Sequence, residues 1–231
     1  MLLLGLDLET TGLSWEFDRI IEIGAVVWDT DESRPVAIQS ELVNIGEQSL
    51  PKIISDLTGI FDKDLAKFGI SEKQALLSTI NLAEHCDYVV AHNGNSFDKK
   101  FLDKALESHG LELSLPWIDT MHDVPYSDGI KTRKLSYLAT EHAFLNPYSH
   151  RACFDVLTMF KVLENYDINE VVELSKSPTV KVQAVVSYDD RNKAKEAGFR
   201  WDSSNRAWVK EMKEVHLQTM KLPFETTPFD N

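Results

Sequence analysis

The sequence predicts an α/β domain with a mixed sheet and flanking helices, followed by a small α+β module. Three observations carry this. Strand-like runs open the chain and then alternate with helix-period segments. The first runs are continuously apolar, as in strands buried on both faces. Beyond Pro178 the charge balance changes sign: residues 176–231 hold 10 Lys/Arg and 8 Asp/Glu, a net of +2, against −15 for residues 1–175. The expected division is a domain over 1–175, an accessory module over 176–221 and a loose tail over 222–231.

Leu2 to Leu8 is an apolar run expected to form a buried strand. Thr-Thr-Gly-Leu-Ser supplies turn chemistry before a second strand, Ile20 to Trp28, and Val36 to Val43 alternates as an edge strand, completing a meander. Pro51 to Thr58 reads as a short helix. A longer helix spans Ser71 to Cys86, with Ser71 and Gln74 in capping-box spacing. Tyr88 to Ala91 is a short buried strand leading into a His92 loop. A helix follows from Asp98 to Ser108, ended by Gly110, and then a short strand at Trp117 to Asp119. Helices are expected over Lys134 to Glu141 and Ala152 to Asn165, the latter amphipathic through Val156, Met159, Phe160 and Leu163. After a linker at 176–179 come a strand (Val180 to Tyr188), a helix (Asp189 to Ala197, capped by Asp189) and two short strands around Asp-Ser-Ser-Asn. Leu222 to Asn231 has two prolines and no periodicity.

Of the 231 residues 43% are hydrophobic, enough for a substantial core. Met1 to Leu6 is too short to span a bilayer and has no basic flank. Cys86 and Cys153 offer neither a disulfide framework nor zinc spacing, so a reduced, cytoplasmic protein is expected. The net charge of −13 excludes a broad basic footprint for duplex nucleic acid. A metal site would account for part of that acidity.

Three fragments carry chemistry: Asp7-Leu8-Glu9-Thr10-Thr11-Gly12, His92-Asn93-Gly94-Asn95-Ser96-Phe97-Asp98 and His150-Arg151-Ala152-Cys153-Phe154-Asp155. Side chains alternate along a strand, so Asp7 and Glu9 share one face. Such a pair repels itself unless a cation intervenes. Oxygen-only ligands favour Mg²⁺ or Mn²⁺ over zinc. Two such ions about 4 Å apart serve both the attacking water and the leaving oxygen of a phosphodiester. Asp98 opens a helix, where an Asp alone reads as a cap. Asp155 lies about one and a half turns past His150, so the two need not share a helix face. On its loop His150 could still reach a water, and imidazole suits a general base.

Together these fragments resemble the three motifs of the DEDD 3′–5′ exonucleases, in the histidine (DEDDh) branch marked by His-x-x-x-x-Asp. The resemblance covers roughly residues 2–165. It implies a ribonuclease H-like fold, a two-metal mechanism with Mg²⁺ or Mn²⁺, and release of nucleoside monophosphates from a 3′ end. It implies that Asp7, Glu9 and Asp155 hold one metal, that Asp7 bridges to a second completed by Asp98, and that His150 deprotonates the water. It further implies backbone contacts from Thr10 and Thr11 to the terminal 3′-hydroxyl, packing of Leu13 on the last base, and a substrate contact at Asn93. Motif two, His-Asn-Gly-x-x-Phe-Asp, is one residue longer than in polymerase proofreading subunits. It is closer to the three-prime repair exonucleases, which points away from replicative proofreading. The resemblance favours DNA, single-stranded or frayed, as partner; a 3′–5′ exoribonuclease or a catalytically silent nucleic-acid-binding adaptor are the alternatives. Trp15 and Phe17 could stack on a base or simply pack.

The string Asp-x-x-x-Ala-Lys-x-x-Gly-Phe-Arg-Trp-Asp-x-x-x-Arg-Ala-Trp is similar to a small accessory module of phage and plasmid DNA-processing enzymes. It interleaves Arg191, Lys193, Lys195, Arg200 and Arg206 with Phe199, Trp201 and Trp208. That pattern fits contact with single-stranded nucleic acid, or a mini-core with solvated charges. The module is expected to take a nucleic-acid or protein partner; no membrane partner is expected.

Overall fold

A computed structural model describes residues 1–127 and 129–229. The chain divides into two compact units, Met1–Val172 and Glu173–Asn231.

The first unit opens with β1 (Leu2–Thr10), β2 (Ile20–Asp29) and β3 (Arg34–Leu42). Then come α1 (Lys52–Thr58), α2 (Asp62–Phe68), α3 (Glu72–Ala83), β4 (Tyr88–Ala91), α4 (Asp98–Ser108), β5 (Trp117–Asp119), α5 (Leu135–Glu141) and α6 (Ala152–Leu163). A further helix, α7 (Ile168–Lys176), crosses the unit boundary. The five strands form one mixed sheet of order β3-β2-β1-β4-β5. β1 pairs antiparallel with β2 and parallel with β4, and so lies at the centre.

Period-two alternation on β1 sorts the unit into two layers. Leu4, Leu6 and Leu8 face one way and join Ala75, Leu76, Phe101 and Leu102 of α3 and α4 in a core. Leu3 faces the other way, with Val156, Met159 and Phe160 of α6 and Val171 and Val172 of α7. α6 sits close on the sheet because two strand positions lack a side chain. A Cβ on Gly5 would collide with Phe160 and Val156; one on Gly24 would collide with the backbone of Ala152 and Cys153. Asp7 lies opposite Gly24 in the register, so the close contact falls beside the acidic end of β1.

Ser71 accepts from the Gln74 amide at 3.3 Å, but its hydroxyl donates to Gln74 Oε1 at 3.0 Å, so the box closes side chain to side chain. Helix α2 was not foreseen: Gly59, left-handed at φ 70°, ends α1, and α2 starts within three residues. Neither was α7, whose apolar face is only the short Val-Val-x-Leu step.

The second unit holds β6 (Thr179–Val185), α8 (Arg191–Glu196), β7 (Arg200–Asp202), β8 (Ala207–Lys213), α9 (Glu214–Thr219) and β9 (Glu225–Pro228). Its sheet runs β7-β8-β6-β9 over a small core of Val182, Ala194, Phe199 and Met212. Two expectations are corrected. The tail is not loose over 225–228: β9 pairs antiparallel with β6. Its proline escaped recognition as strand because Pro228 is tolerated on an edge, and Phe224 packs edge-on against Phe199. Asp230 and Asn231 of that tail lie outside the described residues. The helix cap also differs. α8 begins at Arg191, and Asp190 binds Lys193 Nζ at 2.8 Å instead of capping. Both cysteines are buried and free. No helix among the described residues is long and apolar enough to cross a membrane.

Candidate active site

Four carboxylates and one imidazole converge where β1 ends. Asp7 and Glu9 project from β1 toward the α6 side of the sheet. Beyond Gly5, β1 has no strand partner on the β4 side, and the Leu8 amide is instead taken by Asp98 Oδ1 at 3.0 Å. Asp98, 2% exposed at the start of α4, is therefore tied to the backbone between the two β1 acids. Asp155 lies in the first turn of α6, where Oδ2 accepts the His150 amide at 2.9 Å and Oδ1 accepts Asn146 Nδ2 at 2.6 Å. Glu9, His150 and Asp155 each offer a ligand atom within 4.8 Å of the other two. His150 is exposed and left-handed, at φ 62°. That backbone is uncommon outside glycine and lets it close the hydrogen bond to the residue five ahead.

Electrostatics follow from this crowding. Burial, then the charges of Asp98, Glu9, Asp155 and Glu22, pushes the Asp7 carboxyl well above its ordinary range. Burial and the charges of Asp155, Glu22 and Asp98 raise Glu9 to about 8, against a smaller opposing pull from Arg151. Burial lifts Asp98 to about 7 in spite of the Leu8 hydrogen bond. Burial also raises Asp155, opposed by His150 and Asn146. Four acids that each hold their proton too tightly form a site short of positive charge. Oxygen donors on three elements and one imidazole suit hard divalent cations, so the donor set fits the metals that the sequence implies.

The motif-two loop is held from beneath. Buried Asp119, at the end of β5, accepts the amides of Asn93 (2.9 Å), Asn95 (3.2 Å) and Met121 (3.0 Å). Asn93 is left-handed at φ 66°. His92 bridges Thr120 Oγ1 at 2.9 Å and the Arg133 carbonyl at 2.7 Å, and burial lowers its pKa. It is a structural bridge.

The expected substrate contacts lie on two loops. Thr10 and Thr11 are both buried, and Thr10 donates to the Gly12 carbonyl at 2.5 Å. Thr11 donates its amide to Arg19 O and its hydroxyl to Asp18, so both its donors are used inside the turn. Leu13 is 85% exposed, and Trp15 and Phe17 are exposed after it. Lys104 Nζ anchors that loop through the carbonyls of Trp15 and Glu16 at 2.9 and 2.6 Å.

Comparison with known proteins agrees with this architecture. The exonuclease family (RNase_T) matches residues 4–163. Residues 180–229 match a domain of unknown function, DUF8626, so no assigned accessory role accompanies the module. DNA polymerase III PolC-type of Ureaplasma parvum is 31% identical over 218 residues, which is 90% of this chain but 14% of that polymerase. The zinc-bound complex of E. coli exonuclease I with single-stranded DNA superposes with a TM-score of 0.61 at 14% identity, covering 76% of this chain and 41% of that one. The nuclease domain of 3′hExo, a DEDDh family member bound to rAMP, gives 0.60 at 18% identity, covering 71% of this chain and 90% of that domain. A ribonuclease H-like sheet bearing acids at its central strand end is the scaffold of a nuclease. The chain belongs to the exonuclease family. The longer motif-two loop pointed away from replicative proofreading, yet the relatives include DNA polymerase III PolC-type proteins, of which this chain spans a small part.

Proposed function

We propose that this chain is a 3′–5′ exonuclease that releases nucleoside 5′-monophosphates from single-stranded or frayed DNA ends with Mg²⁺ or Mn²⁺. The observation that carries this is the convergence of Asp7, Glu9, Asp98 and Asp155 with His150 on the open rim beside Glu9 and Asp155. Asp7, Glu9 and Asp155 would hold one cation and Asp7 with Asp98 a second. When bound, the cations supply positive charge to the attacking water and to the leaving 3′-oxygen. His150 accepts the proton of that water, whose oxygen bonds to phosphorus as the bond to the 3′-oxygen breaks; the released 3′-oxygen gains a proton. The Leu13 side chain is free to pack on the terminal base. Thr10 and Asn93 would contact the terminal nucleotide, and Thr11, with both donors used, shapes the turn.

DNA is favoured because the 31%-identical relative is a DNA polymerase, although this chain spans only 14% of its length. An exoribonuclease is the second reading, supported by the likeness to a nuclease domain bound to rAMP. The basic, aromatic C-terminal unit would contact the same strand or a protein partner. Matched 3′-labelled DNA and RNA oligomers, digested beside Asp7→Ala, test the proposal. Mononucleotide release from the DNA 3′ end by wild type and none by the variant is expected. End binding without release would mean an adaptor.

A further inference from the structure

A fifth acid lies beside the site and is not among the proposed metal ligands. Glu22, on β2, sits directly across from Glu9 in the register and is 1% exposed. A buried carboxylate needs a partner, and its partner is Arg151. Arg151 Nε donates to Glu22 Oε1 and Oε2 at 3.2 and 3.1 Å, and Nη2 donates to Oε1 at 2.8 Å. The same carboxylate accepts the Ala152 amide at 3.0 Å and the Ser40 hydroxyl at 3.4 Å. Arg151 is the N-cap of α6 and makes no side-chain cap of its own. Glu22 therefore caps α6 from the neighbouring strand. Two residues further along β2, Gly24 lets the Ala152–Cys153 backbone seat against the sheet.

We infer that the Glu22–Arg151 fork is a positioning device for the nuclease reaction: it fixes residues 151 and 152, and thereby the left-handed turn that aims His150 and the first-turn Asp155. The inference rests on the proposed exonuclease reading. A planar guanidinium gripping one carboxylate through two nitrogens sets direction as well as distance, which a lysine cannot do. His150 and Asp155 flank the gripped residues, and their mutual hydrogen bond at 2.9 Å spans them. Freeing Arg151 lets that bridge drift, and a displacement near 1 Å costs about 100-fold in rate.

The test compares Arg151→Met, Arg151→Lys and the double variant Glu22→Gln with Arg151→Met. Arg151→Met strands a buried charge and is expected to lose stability as well as rate. The double variant removes both charges and leaves an amide oxygen to cap Ala152. It is expected to melt near wild type yet keep a kcat about 100-fold low, with KM for a 3′-labelled oligomer within about 3-fold. Arg151→Lys should recover part of that rate. If rate instead returns with stability in the double variant, the fork is only structural and the inference is overturned. Amide exchange of His150 and Ala152 separates this outcome from failure of the exonuclease reading. In the metal-free double variant these amides should exchange at least about 10-fold faster, whether or not wild type cleaves DNA; unchanged exchange also overturns the inference.

Discussion

At the scale of single residues, the site is defined by acids that resist ionisation. A carboxyl whose pKa is raised on folding favours the protonated folded protein. It stabilises the fold fully at low pH and loses that contribution as pH climbs through the folded value. For Glu9 the window runs from about 4.5 to about 8. In chelator, the melting temperature should thus fall between pH 5 and pH 8, and Mg²⁺ or Mn²⁺ should flatten the fall. Glu9→Gln should make the fall shallower without metal, leaving the part carried by Asp7, Asp98 and Asp155. A metal-free melting temperature that rises over this range would contradict the account. His150→Ala should lower kcat by about 10²–10⁴-fold with end binding retained, as measured in single-turnover cleavage. The five residues that meet here were legible because residue type and order carry their chemistry. Glu22, Asp119 and Asn146 were not, because their roles arise from partners up to 130 positions away. One signal was present for Glu22: a lone acid inside Ile-Ile-Glu-Ile must find a cation or an amide once buried.

At the scale of elements, the seating of α6 on β1 and β2 matters most. Gly24→Val should force α6 away from the sheet. Overpacking of this kind costs about 1–3 kcal/mol, read from urea unfolding. Cleavage should fall further than that loss explains, because His150 and Asp155 move with the helix. Full activity in a destabilised Gly24→Val protein would show that the close approach serves packing alone. Long strands and helices could be read from the sequence, since β1, β2, α3, α4 and α6 repeat their apolar positions over seven residues or more. Some short elements were missed: α2, α9 and β9 span seven, six and four residues. Their burial comes from distant partners rather than from their own period. Neither glycine announced its role, since close approach is a property of the pair that meets.

At the scale of the whole molecule, the excess of acid lies in the first unit, while the second carries 10 Lys/Arg against 9 Asp/Glu. Tyr188 and Trp201 are exposed, and Arg191 lies over the Tyr188 ring at 4.0 Å. Stacking contributes about 1–3 kcal/mol per base. Tyr188→Ala with Trp201→Ala should therefore weaken binding of a long single strand, measured by fluorescence anisotropy, while single-turnover cleavage at saturation persists. Unchanged affinity would assign the module to a protein partner. The seating of α6 on Gly5 and Gly24 has one further consequence, in time rather than space. The first two acids are synthesised within nine residues, and the last arrives at position 155. The full set of acids is present only once the chain has reached Asp155, on the helix whose Phe160 lies over Gly5 and stacks on Trp28, ring centres 4.9 Å apart. Completing the set of acids and completing the α6 layer of the core are thus one and the same step of the chain.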